Sequence, residues 1–259
     1  MLRALAGFAV VAMLRILGLF PPRFIVALGT PWLPIYAILR RKSFTYYHMR
    51  LHLAALSLRH LTGHWNDCPT PIEGEEHYLI ALASGKPVAL LGWHQGPVEL
   101  LHHVPPVPKD GRPFFIATAQ GFTPLLTRLM RQGREQPGKQ TVLVNEQSPA
   151  LRTWVRQQGV LAVMVDQVPG TPEDWFSLWQ GEVEIPYPKK LLDWMRDQDA
   201  VFIAVSARLK NHDSILFRYE PVQPDAEGLQ RLMETAIAEA KDQYNWSYPK
   251  IRISGRLSF

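Results

Sequence analysis

The stretch "VALLGWHQGPVELLHHV", residues 88–104, decides how this chain reads. Residues 88–92 carry no polar side chain, which is the pattern of a strand buried on both faces of a parallel sheet. A Trp and a His close the run, Gly96-Pro97 turns the chain, and a helix-like segment begins around Glu99. On one continuous helix, residues five apart point about 140° away from each other. The spacing of His94 and Glu99 makes sense if the helix starts between them, with Gly96 as N-cap and Pro97 in the first helical position. Glu99 then lies in the first turn, and its carboxylate reaches back to the imidazole. A carboxylate on one ring nitrogen fixes the tautomer and leaves the other nitrogen to take a proton from an alcohol. Nine histidines and 23 acidic residues make about one such spacing expected by chance, so the position after a strand matters more than the spacing.

Outward from this stretch, apolar runs and helical patterns alternate. Residues 72–85 predict a helix ending at Gly85, and 86–93 a buried strand. Strands follow at 113–119 and 140–145, with a helix at 123–132 between them. Ser148, Pro149 and Gly159 bracket another helix, and 160–166 is a second wholly buried strand. A helix at 187–198, strands at 200–209 and 215–222 and a closing helix at 225–244 complete the order. Alternation of this kind predicts an α/β fold with a mainly parallel, mixed sheet flanked by helices. In such sheets functional residues collect at the carboxyl ends of the strands. His94 stands at one such end, and Asp166-Gln167 at another.

Hydrophobic residues make up 47% of the 259 and charged residues 20%, which excludes a disordered chain. The net charge of +5 suits an anionic partner. No aromatic-basic module accompanies it, so nucleic acid is not expected. Cys68 is the only cysteine, so neither an internal disulfide nor a cysteine metal cluster can form. With no H-E-x-x-H and no Cys/His ligand cluster, nothing calls for a metal or another cofactor. No G-x-S-x-G surrounds a serine near His94, so the histidine reads as a base acting directly on a substrate hydroxyl.

The N-terminus differs from the rest. Residues 4–14 and 24–39 are uncharged, and Arg40, Arg41 and Lys42 follow. Neither run reaches the roughly 20 apolar residues of a spanning helix, so we expect two helices dipping into one leaflet or one tilted span over 2–20 or 24–39. The basic cluster would face anionic headgroups. Residues 43–61 read as a helix whose arginines and histidines suit an interfacial position. The expected division is therefore a membrane-associating helical region at 1–42 and an α/β domain at 43–259.

"LLGWHQGPVELL" resembles the H-x4-D/E motif of the lysophospholipid acyltransferase superfamily, and is closest to the lipid A biosynthesis (late) acyltransferases of Gram-negative bacteria. "ALRTWVRQQGVLAVMVDQVPG", "WQGEVEIPYPKKLLDWMRDQDAVFIAVSARL" and "KDQYNW" are similar to later stretches of that family, and "LFPPRFIVALG" to its N-terminal region. The departures are Pro97-Val98, where members usually have Asn-Trp, and "SYPKIR" at the tail. Val144-Asn145 also stand where an arginine is common, and the chain is shorter than typical members. The departures bear on the acceptor more than on the reaction.

The resemblance implies transfer of a fatty acyl chain from acyl carrier protein, or acyl-CoA, to a lipid hydroxyl at the cytoplasmic face of the bacterial inner membrane. His94 would be the general base and Glu99 its orienting partner. Gly96 would offer backbone donors to the oxyanion. Arg134 would meet a phosphate or the donor's phosphopantetheine, and Asp166 and Gln167 would shape the site. An acidic carrier would find basic residues at Lys189, Lys190 and Arg208. The same chemistry on a lysophospholipid, or on an ornithine- or polyene-type lipid, is an alternative, as is a non-catalytic lipid-binding homologue.

Overall fold

Val88–Gly92 forms strand β2, and all five of its residues are buried. In the computed structural model the described residues are 16–17, 19–32, 44–61, 71–101, 104–118, 128, 131–132, 134–135, 137–143, 149–167, 174–211, 214–223, 225–246 and 248–254. Beside β2 lie β5 (Val160–Met164) and β8 (Val201–Asn211), both parallel to it. On the far side of β5 come β3 (Phe114–Thr118) and then β4 (Lys139–Leu143). On the far side of β8 come β9 (Ser214–Pro221) and then β1 (Ile72–Glu73). Only the β8–β9 pairing in this seven-stranded sheet is antiparallel, so the sheet is mainly parallel and mixed, as expected.

The two-residue period of the strands divides the core. Ala89, Leu91, Leu161, Val163, Phe202 and Ala204 face one side. There they meet helices α4 (Pro149–Arg156), α5 (Lys189–Asp197) and α6 (Ala226–Glu239) through Trp154, Met195 and Met233. Val88, Leu90, Val160, Ala162, Ile203 and Val205 face the other side. Tyr78 and Ala81 of helix α3 (Glu75–Ala83) and Leu53 of helix α2 (Phe44–Leu61) cover them.

Several elements differ from expectation. Residues 72–85 are not one helix: two residues join the sheet edge before α3 begins. After Pro97 the chain makes a 3-10 turn, Val98–Leu100, and Pro97, with φ −83° and ψ 69°, is its N-cap in place of Gly96. The closing helix stops at Glu239, and a 3-10 turn over Lys241–Gln243 follows. Two strands, β6 (Asp174–Leu178) and β7 (Val183–Tyr187), form a hairpin where none was expected, joined on its edge by β10 (Arg252–Ile253). Pro186 and the left-handed Trp179 and Gln180 hide its alternation.

Helix α1 (Pro22–Gly29) has eight residues, about 12 Å of rise, and a 3-10 turn over Thr30–Trp32 follows it. Among the described residues no helix is long and apolar enough to cross a membrane. Ile25 and Val26 pack on Ala55 of α2, while Phe24 and Leu28 are exposed. His52, expected at an interface, is buried in α2. Residues 4–14, 33–42, Cys68, Val144-Asn145 and most of the helix expected at 123–132 lie outside the described residues.

Burial raises the phenols of Tyr78, Tyr219 and Tyr244 above the ordinary value of 10. A group whose pKa is raised by folding contributes stability that is complete below its unfolded value and is lost as pH climbs toward its folded one. Stability to urea should therefore fall as pH rises from 10 to 12. Flat urea midpoints over that range would contradict the burial of these hydroxyls.

Candidate active site

The carboxyl ends of β2, β5 and β3 lie side by side, and the candidate site is built on them. Parallel pairing sets Gly92 opposite Met164, and a further bond from the Val165 N–H to the Gly92 carbonyl (2.8 Å) continues the ladder. Two residues on, the same register brings Asp166 against His94. The His94 backbone N–H donates to Asp166 Oδ2 at 2.8 Å, and its ring Nδ1 lies 2.7 Å from Oδ1. Asp166 has no exposed side-chain surface, whereas the imidazole is 25% exposed. An acceptor-only carboxylate against Nδ1 assigns the proton to that nitrogen. Nε2 is then bare, and among the described residues nothing bonds to it. A ring oriented on one side and open on the other is the arrangement of a general base.

The carboxylate holding His94 is thus not that of Glu99, as the spacing suggested. Glu99 sits in the 3-10 turn, and its two oxygens accept from Arg134 Nη2 at 2.7 Å and Nε at 2.8 Å. Arg134 Nη1 also donates to Thr118 Oγ1, at the end of β3, at 2.8 Å. Both charged side chains are mostly buried. Burial pulls the guanidinium's pKa down, but the charge and hydrogen bonds of Glu99 more than offset this and raise it. Arg134 is therefore held in place by Glu99 and Thr118 rather than free in solvent.

Gly96 also differs from expectation. Its N–H donates to the Gln243 carbonyl at 3.0 Å, so it does not serve an oxyanion. Its φ is +63°, and a Cβ there would stand 2.2 Å from the Ala207 carbonyl oxygen of β8. Glycine is present because the loop lies directly on the β8 backbone. Gln167 follows Asp166, partly buried, and makes no hydrogen bond to His94.

The segment after α6 clamps this loop, which the sequence did not suggest. Buried Gln95 accepts from Trp93 Nε1 at 2.9 Å and donates to the Ala236 carbonyl at 2.7 Å. The Asn245 N–H donates to the His94 carbonyl at 2.9 Å. Buried Gln243 accepts from the Leu209 N–H and donates to the Leu209 carbonyl, as another strand would. Tyr244, also buried, donates its hydroxyl to Asp166 Oδ2 at 2.9 Å. The signal that could have found these residues is compositional: two glutamines and a tyrosine flanking apolar segments must have internal partners once buried.

Of the basic residues expected to face an acidic partner, Lys189 pairs with Asp193 and Arg208 with Glu239. Among the described residues no three His, Cys, Asp or Glu side chains gather so as to hold a metal ion. No protein-family model matches the chain, and no curated protein matches it in sequence.

Gly96→Ala should lower stability by about 3 kcal/mol, since strain and a backbone clash combine. Gly85 has φ +70° but open space around it, so Gly85→Ala should cost about 1 kcal/mol. Urea unfolding of both variants checks the difference, and equal costs would contradict the close approach to β8.

Proposed function

We propose that the chain is a membrane-associated O-acyltransferase of the lipid A (late) acyltransferase kind. It moves a fatty acyl group from a thioester donor, acyl carrier protein, to the hydroxyl of a lipid such as a lipid A precursor. The observation that carries this reading is the His94–Asp166 pair at the carboxyl edge of the sheet, with no partner on Nε2 among the described residues. The H-x4-E resemblance supplies the reaction class. Nε2 takes the proton of the lipid hydroxyl, and the oxygen attacks the thioester carbonyl. The resulting tetrahedral oxyanion collapses, the carbon–sulfur bond breaks, and the departing thiolate recovers the proton from Nε2. The ester and the free thiol leave.

In this mechanism Asp166 orients His94. The Glu99–Arg134–Thr118 group ties the turn after Pro97 to the end of β3, and two guanidinium N–H groups of Arg134 have no partner among the described residues. Those two suit the phosphate of the donor's phosphopantetheine arm. Exposed Ile16, Leu19, Phe20, Phe24 and Leu28 support attachment to the membrane, because an apolar group of this kind is stable against lipid. The proposed location is the cytoplasmic face of a bacterial inner membrane.

Lipid mass spectrometry on cells lacking the chain, complemented at equal expression with wild type or His94→Ala, tests the proposal. Wild type should add the mass of one acyl chain to a lipid, and His94→Ala should not. Full complementation by His94→Ala, or no lipid change at all, would overturn it and favour a non-catalytic lipid-binding protein.

A further inference from the structure

Asp166 is a buried carboxylate, and among the described residues no lysine or arginine pairs with it. Three donors hold it instead: the His94 N–H, the His94 ring and the Tyr244 hydroxyl. Tyr244 has no exposed surface, and its ring stands edge-on to Trp246 with centroids 4.7 Å apart. A phenylalanine would fill that ring site equally well, so the hydroxyl marks a polar role. The backbone agrees, since Tyr244 bridges to Gln95 and its neighbour Asn245 bonds to His94 itself.

We propose that Tyr244 is a positioning residue that sets how strongly Asp166 holds the imidazole of His94. The proposal rests on the reading of His94 as the base. Donors to one carboxylate compete for its charge, so a hydrogen bond from the phenol tempers the bond from Nδ1. Burial, with Asp166 beside it, pushes the phenol well above its ordinary range, so the hydroxyl stays protonated as a donor. The other titratable groups that interact electrostatically with this pair are Tyr46, with Tyr244, and Tyr248, with Asp166; Arg134 and Glu99 pair with each other.

Nitrogen-15 NMR on the full chain in detergent micelles reads the Nδ1 proton of His94, assigned by its loss in His94→Gln. Tyr244→Phe deletes one donor, and replacing Tyr244 with 3-fluorotyrosine makes that donor stronger. The Nδ1 proton should move downfield in the first and upfield in the second. A ring needed only for packing would leave the proton unmoved in both, and that result overturns the proposal. If Tyr244→Phe does not fold, the fluorotyrosine chain, which keeps ring and hydroxyl, decides alone, and an unmoved proton again overturns it. The spectra need no substrate. Loss of the acyl-transfer reading would leave a moved proton standing, whereas an unmoved proton in an active enzyme removes Tyr244 alone.

Discussion

The pairing of two central parallel strands carries the candidate site. Val88–Gly92 and Val160–Met164 lie side by side with a constant offset, and that offset delivers Asp166 to His94. Both strands are almost wholly apolar and buried between two clusters of the core, so a slip by one residue would exchange the side chains packed into the two clusters and spoil the packing of both. The precision of the histidine–aspartate contact is therefore inherited from hydrophobic packing. Trp93, Leu100 and Leu101 pack the ends of the loop after β2 into the core, and polar residues restrain it further.

That restraint comes from the far end of the chain. Gln95 and Gln243 bury their amides and satisfy them against the Trp93 indole and backbone atoms of α6 and β8. Each is a costly group to bury unpaired, so each favours a single arrangement of the loop. Gly96 lets the loop lie flat on β8, and Asn245 ties down the His94 carbonyl. The residues around the proposed base are thus pinned from β2, β5, β8 and the segment after α6 together. Such pinning suits a base that must meet its substrate with little reorganisation.

The central strands were legible in the sequence because a wholly apolar run of five to seven residues between turn signals has few other solutions. His94 and Asp166 were each legible as strand-end residues for the same reason. Their partnership was not, because it depends on which strands are neighbours, and 72 residues separate the two. The local H-x4-E spacing drew attention to Glu99 as the partner. In the fold Arg134 takes that carboxylate with two hydrogen bonds. The β6–β7 hairpin was hard to read because two of its turn residues, left-handed Trp179 and Gln180, are not turn-forming types and Gly181 alone signals the turn. Tyr244 was visible as part of a motif but without a role, since nothing local tells a tyrosine that it will meet a carboxylate 78 residues away.

The central claim is that Asp166, rather than Glu99, is the carboxylate that makes His94 a base. The most direct measurement compares kcat for acyl transfer in purified Asp166→Asn and Glu99→Gln, with folding checked by circular dichroism. An amide in place of the Asp166 carboxylate would favour the wrong tautomer of His94, so kcat should fall on the order of 10³-fold or more while the chain stays folded. Glu99→Gln keeps a hydrogen-bonding partner for Arg134 and should lose much less. Near-wild-type turnover in Asp166→Asn, with activity abolished in Glu99→Gln, would contradict the account.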